Sequence, residues 1–260
     1  MKDKNQTFYK AILSYKGTNY SGWQFQTENS NTVQAEVERV IASILNYQNF
    51  QIIAASRTDS GVHAQGQLLK IILPKNISPS KLLTGLNTKL PRDIRFIDIQ
   101  YIEESFNVNQ SITSKEYHYY FTSSKNPMAT LSDIVYFCPD KLDIELMRKA
   151  CDLIRGEHHF SSFTPPGKED NNVLRKVIHC SIDKTSFLPI FENIFYLNIQ
   201  AKGFLKYMVR FLMNSLLQVG KKQISLEQFK ALLDADMQIN NSTKASPVGL
   251  HLIRIHYDRD

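Results

Sequence analysis

Apolar and polar positions alternate along residues 7 to 15, TFYKAILSY, which predicts a first strand. From Thr32, a residue type suited to an N-cap, Val33, Val37, Val40, Ile41, Ile44 and Leu45 recur at helical spacing. Gln51-Ile52-Ile53 reads as a short buried strand and residues 68 to 73, LLKIIL, as another, with a polar loop between them. Ser78-Pro79 sets a cap and a proline in the order that opens helices. Leu82, Leu83 and Leu86 supply that helix with an apolar face, Pro91 ends it, and residues 94 to 101 alternate as a strand. Strand, helix, strand, strand, helix, strand is the order of a helix-backed antiparallel sheet of the ferredoxin-like kind.

Near residue 105 this order of elements starts again, without any repeat of sequence. Residues 117 to 121, YHYYF, predict an aromatic strand, and residues 142 to 154 an amphipathic helix stopped by Gly156. Two strands follow at 175 to 182 and 194 to 201. The most apolar helix of the chain is expected over 204 to 219, ended by Gly220, with a short helix at 226 to 233 and a closing strand at 248 to 257. TPPGKEDNN, residues 164 to 172, reads as a mobile loop. The expected fold is therefore α+β: two ferredoxin-like halves, 1–105 and 106–260, forming a mixed, mainly antiparallel sheet with helices on one face.

Composition narrows the class of protein only slightly. At 260 residues, 42% hydrophobic and 22% charged, the chain can bury a core and is not of the disordered type. A net charge of +6 permits a polyanionic partner without demanding one. Cys138, Cys151 and Cys180 are odd in number, far apart and without a CxxC, which speaks against a disulfide framework and a zinc site and fits a reducing compartment. The first residues lack a signal-peptide core and no apolar run reaches spanning length, so a cytoplasmic protein with no membrane partner is expected. His158 and His159 are adjacent, which is poor geometry for two ligands of one metal.

The candidate chemistry lies in residues 54 to 67, AASRTDSGVHAQGQ, a polar loop held at both ends by strands. It carries Arg57, Asp59, Gly61 and His63. Arg57 and Asp59 are two residues apart, so in an extended stretch they share a face. A cation so placed keeps the carboxylate ionised and able to act as a nucleophile. By spacing alone, a surface turn with an incidental ion pair is the commoner arrangement. Lys202, Lys206 and Arg210 are four apart and would share one face of the apolar helix, either as a solvated stripe or with Arg210 partly buried. The loop at 16 to 24 holds the single tryptophan, Trp23, which would equally suit the core of a packed Ω-loop.

RTDSGVHAQGQ resembles the RTDAGVHA-GQ signature of the TruA family of tRNA pseudouridine synthases. The stretch from Lys16 to Gln34 is similar to that family's YDGT-Y-GWQ-Q-TVQ. It keeps Gly17, Thr18, Tyr20, Gly22, Trp23, Gln24, Gln26, Thr32, Val33 and Gln34, with Lys16 in place of the acid. KEYHYYF resembles the R-Y-x-Y segment, with Tyr117 as its first tyrosine and Glu116 where a basic residue is usual. GFLKYMVRFLMNSLLQVG resembles AFL-HMVR-IVG-L--VG, whose arginine falls on Arg210, with Tyr207 for the histidine and Asn214 for a glycine. Residues 156 to 163 resemble GEHDFSSF, and residues 245 to 250 the A-P-GL close. Residues 106 to 109, FNVN, match FHAR weakly, with Asn107 and Asn109 replacing its histidine and arginine. Together these segments cover the chain from about residue 10 to 257.

The resemblance implies the pseudouridine synthase fold, with the active-site cleft on the sheet face away from the helices. It implies Asp59 as the essential nucleophile, attacking either carbon 1′ of the sugar or carbon 6 of uracil. Arg210 would pair with that carboxylate, and Tyr117 would stack on the uracil and move a proton. Arg57 would orient the carboxylate, or fill the space left by an extruded base and touch phosphate. His63, Gln67, Lys202 and Lys206 join Arg57 and Tyr117 as substrate-binding candidates, and the Lys221-Lys222 pair and Lys16 as phosphate contacts. The reaction needs no cofactor and no metal. The implied partner is tRNA, modified in the anticodon stem-loop at positions 38, 39 and 40, gripped by a homodimer. A catalytically silent RNA-binding homologue, or a synthase redirected to another RNA, is the alternative that Lys16, Asn107, Asn109, Glu116 and Asn214 leave open.

Overall fold

The first strand, β1 (Thr7–Tyr15), buries Tyr9, Ala11, Leu13 and Tyr15 on one face, as its period of two requires. The structure is a computed structural model, and it describes residues 6–25, 31–46, 49–124, 128–165, 173–185, 193–234 and 243–258. Gln26, one of the residues that carry the resemblance between Lys16 and Gln34, and residues 166–172 of the expected mobile loop lie outside the described residues. Ten strands and five helices are present among the described residues, an α+β protein. By compactness the chain divides into two units, Met1–Thr113 with Leu252–Asp260, and Ser114–His251.

In the first unit β1 is followed by α1 (Val33–Ile44), β2 (Gln51–Ala54), β3 (His63–Leu73), α2 (Pro79–Lys89) and β4 (Ile94–Tyr101). The Thr32 hydroxyl accepts from the Ala35 N–H at 3.2 Å, which caps α1, and Val33, Val37, Val40 and Ile41 form its buried face. Ser78 precedes Pro79 at the start of α2 but makes no side-chain cap, so the proline alone marks that start. The strands lie in the order β4-β1-β3-β2, each pair antiparallel, which is the ferredoxin-like sheet expected. Two details differ. β2 is largely exposed rather than buried, because it is an edge strand with only β3 beside it. β3 begins at His63, five residues early, because Ala64 and Gln67 pair with Tyr15 and Leu13 of β1.

The second unit contains β5 (Ile112–Thr122), β6 (Tyr136–Phe137), α3 (Ile144–Ile154), β7 (Gly156–His159), β8 (Leu174–Lys184), β9 (Ile194–Ala201), α4 (Met208–Gly220) and α5 (Leu226–Leu233), and the chain ends in β10 (Leu250–Tyr257). Antiparallel pairs join β5 to β9, β9 to β8 and β8 to β7, while β6 lies parallel to β5. Buried Phe163 meets Phe160 and Phe229 edge to face, joining the turn after β7 to α5. α4 starts at Met208 rather than 204. Tyr207 takes a left-handed conformation at φ 61°, and a helix cannot run through such a residue. Lys202 and Lys206 therefore precede the helix and do not share a face with Arg210.

Candidate active site

Asp59 sits half-buried at the start of a tight turn. Its carbonyl accepts from the Val62 N–H at 3.1 Å, and Gly61, third in the turn, takes φ 77°, the left-handed region that favours glycine. The residues around it are tied down from both sides. Trp23 N–H donates to the Thr58 carbonyl at 3.1 Å, and Gly61 N–H to the Tyr20 carbonyl at 3.2 Å. The Tyr15 and Thr58 hydroxyls lie 2.7 Å apart in the core. Gln67 Nε2 donates to the Ser56 carbonyl at 2.6 Å, and Gly17 N–H donates to His63 Nδ1 at 3.2 Å.

The tryptophan loop is the support of this turn. Trp23 is buried and stacks on Tyr15 with ring centroids 6.2 Å apart, so the packed-core alternative for that loop holds. Gly22, at φ 93°, lies so close that a Cβ there would come within 2.6 Å of the Thr58 carbonyl oxygen. A side chain at Gly17 would meet the Val62 carbonyl oxygen at 2.0 Å. Two glycines thus let one loop lie flat against the backbone that carries Asp59. Tyr20 completes the support: its hydroxyl donates to Asp93 Oδ1 at 2.9 Å. Burial first, and then the Asp93 carboxylate, push its phenol far up, so it remains a protonated donor.

The other candidates in this unit fall into two kinds. Arg57 is exposed on the chain just before the turn. His63 and Gln67 are buried at 3% and 0% exposure and bond backbone of the two loops, so they position the turn instead of lining its surface. Nothing in the local pattern signals this; both read as polar loop residues.

In the second unit Tyr117 lies on β5 opposite Ile199 of β9, buried, with the Phe204 ring edge-on at 5.3 Å. Arg210 is 7% exposed on α4, and its Nε donates to the Ala245 carbonyl at 2.8 Å. The Ala245 N–H returns a bond to the Arg210 carbonyl at 3.0 Å, and its guanidinium carbon lies 5.5 Å from the Tyr207 ring centre. Tyr119 donates to the Ser246 carbonyl at 2.9 Å, so the segment before β10 is pinned to both β5 and α4. Gly249 fits there because a Cβ would meet the Tyr120 carbonyl oxygen at 2.4 Å.

Lys202 and Lys206 are exposed, as phosphate contacts require. Lys221 and Lys222 are less suited to that role, since they pair with Asp140 at 2.6 Å and Asp143 at 3.1 Å. Glu116, where a base was expected, has a structural use: its Oε1 lies 3.2 Å from Nε2 of His118. The 106–109 segment is held by a lysine that the sequence reading missed. Lys70, buried on β3, donates to the carbonyls of Glu104 and Phe106 at 2.7 and 2.6 Å. Burial lowers its pKa from the ordinary lysine value. Among the described residues no three His, Cys, Asp or Glu side chains form a group able to hold a metal, and no helix is long and apolar enough to cross a membrane.

A family model described as tRNA pseudouridine synthase matches residues 11–109 and 150–258. The chain is 38% identical over 257 residues to the tRNA pseudouridine synthase A 2 of Desulfotalea psychrophila, covering 95% of this chain and 98% of that one. It is 37% identical over 237 residues to the tRNA pseudouridine synthase A of Aster yellows witches'-broom phytoplasma, covering 91% of each. With the enzyme of the same name from Clostridium kluyveri it shares 33% over 248 residues, 95% of this chain and 98% of the relative.

Proposed function

This chain belongs to the tRNA pseudouridine synthase family and is an isomerase, and from that premise we propose that it converts uridine to pseudouridine in the anticodon stem-loop of tRNA with Asp59 as nucleophile. The observation that carries the assignment is the turn itself. The backbone that carries this half-buried carboxylate is held by hydrogen bonds on both sides of it, and the neighbouring Thr58 side chain by one more. Such pre-set geometry is what a nucleophile needs, since a misplacement of about 1 Å can cost on the order of a hundredfold in rate.

The reaction breaks the bond from nitrogen 1 of uracil to carbon 1′ of the sugar. The freed base turns, carbon 5 bonds to carbon 1′, and carbon 5 gives up its proton. Asp59 holds one of the two reacting fragments covalently while the base turns. Arg210, buried and anchored on Ala245, serves as the cation that keeps the carboxylate ionised. Tyr117 stacks on the uracil and takes the proton from carbon 5. A base in a stem must leave the stack first, and exposed Arg57 occupies the space it vacates or touches the adjacent phosphate. The catalytic loop thus falls in the sequence half 1–105, and Tyr117 and Arg210 in 106–260. A homodimer, the commonest symmetric assembly, is the form proposed to grip tRNA.

Pseudouridine mapping of total RNA from cells with and without this protein tests the assignment. New pseudouridine should appear at positions 38, 39 and 40 of tRNA. Signal confined to another RNA, or to other tRNA positions, would overturn the proposed specificity while leaving the family standing.

A further inference from the structure

A cavity of about 370 Å³ opens in the first unit beside the end of β1 and the start of β4, lined by Ser14, Tyr15, Lys16, Arg92, Asp93 and Arg95. We propose that this cavity is a second anchoring point for RNA, a subsite that binds one backbone phosphodiester while the target uridine is at Asp59. The inference rests on the tRNA reading above and adds to it a named set of phosphate contacts.

Charge is the first argument. Three cationic side chains and a single carboxylate line the cavity. That carboxylate is already engaged, since Asp93 Oδ1 accepts the Tyr20 hydroxyl at 2.9 Å. The surplus is positive, and the chemistry that matches it is an oxyanion.

Preorganisation is the second. Ser14 and Arg95 face each other across β1 and β4, so the sheet register itself brings the wall together. The Lys16 N–H donates to the Asp93 carbonyl at 2.9 Å, fixing the backbone of the lysine against the opposite rim. Arg95 is not a loose side chain. Its Nη1 donates to the carbonyls of Leu90 and Pro91 at the end of α2 and to its own neighbour Ile94. Among the described residues its Nε and Nη2 carry no hydrogen bond, which leaves donors on a guanidinium that is already ordered. Lys16 and Arg92 are exposed and add charge that can adjust to a flexible strand.

Position is the third. Tyr15 lines the cavity and its hydroxyl lies 2.7 Å from that of Thr58, the residue before Asp59. Tyr20 bonds Asp93 through its side chain, and through its carbonyl it accepts from Gly61 and Ser60. The cavity and the Asp59 turn are therefore built on the same two tyrosines. A strand whose uridine is held at Asp59 would pass its backbone over this wall. Inorganic anions share the chemistry, but only a phosphodiester belongs to the strand that must be held there.

The test is filter binding of a tRNA transcript across a salt series, paired with single-turnover pseudouridine formation at varied protein concentration. Lys16→Glu and Arg92→Glu are the variants; Arg95 is left intact because it caps α2. Each should flatten the plot of log affinity against log salt by at least one contact, roughly 0.7 to 0.9 per decade. That is about a sixfold loss for each tenfold drop in salt, and the protein concentration giving half-maximal rate should rise in step. Lys16→Arg, which keeps the charge, should keep the wild-type slope. Wild-type slopes in both glutamate variants, or a loss confined to the saturated rate, would overturn the subsite. Wild-type protein that forms no pseudouridine in tRNA would overturn the functional reading instead, so the two failures are distinct.

Discussion

Arg210 carries its charge where water hardly reaches, and the Ala245 carbonyl is one partner that helps make this tolerable. Arg210→Ala would strand that carbonyl and remove the packing on Tyr207. The cost should be about 3 kcal/mol in urea unfolding, near the upper end for a charged hydrogen bond. Arg210→Lys should recover only part of this, because an ammonium lacks the planar fork that reaches Ala245 while lying on a ring. An alanine variant within about 0.5 kcal/mol of wild type, the range of ordinary surface changes, would contradict the anchoring role. Asp59 stands out in the sequence as the candidate nucleophile because its neighbours form one contiguous motif. The support beneath it does not. The Gly17–His63 and Tyr15–Thr58 bonds join residues over forty positions apart, and no local pattern encodes them. His63 and Gln67 looked like loop surface because polar residues usually are; burying a loop backbone demands such partners.

Helix starts show where element-level reading succeeds and where it stops. The Thr32 hydroxyl accepts from the Ala35 N–H, whereas the side chain of Ser78, equally good by residue type, makes no cap in the first turn of α2. Thr32→Ala should therefore cost about 1 kcal/mol and Ser78→Ala close to nothing, measured side by side by thermal melting. Strands β1, β4 and β9 were legible to the residue because apolar positions recur along each of them. β6 was not, being two residues long, and α4 lost its first turn to the backbone of Tyr207. β5 adds a pH dependence. His118 lies among Glu116, Tyr120, Tyr196, His179 and Asp183, and burial lowers its pKa, with Glu116 opposing. The unfolded chain then binds the proton first, so stability is full above the ordinary histidine pKa of about 6.5 and falls as the pH drops below it. His118→Gln should reduce the loss of urea midpoint between pH 7.5 and pH 5. An unchanged loss would place the acid sensitivity elsewhere.

At the scale of the molecule, the two compact units are not two consecutive stretches of chain, since Leu252–Asp260 belongs with the first hundred residues. A strand that returns from so far along the chain leaves no periodic trace, so only its existence was readable from sequence. The positive balance of +6 was readable too, but not its gathering around the cavity beside β1. The central claim concerns one carboxylate, and Asp59→Asn alters that group while preserving its shape. Single-turnover pseudouridine formation in a tRNA transcript, run beside a binding titration, measures it most directly. The variant should fold and bind tRNA close to wild type while forming no pseudouridine over many wild-type half-times. Turnover within tenfold of wild type would contradict the assignment of Asp59 as the nucleophile.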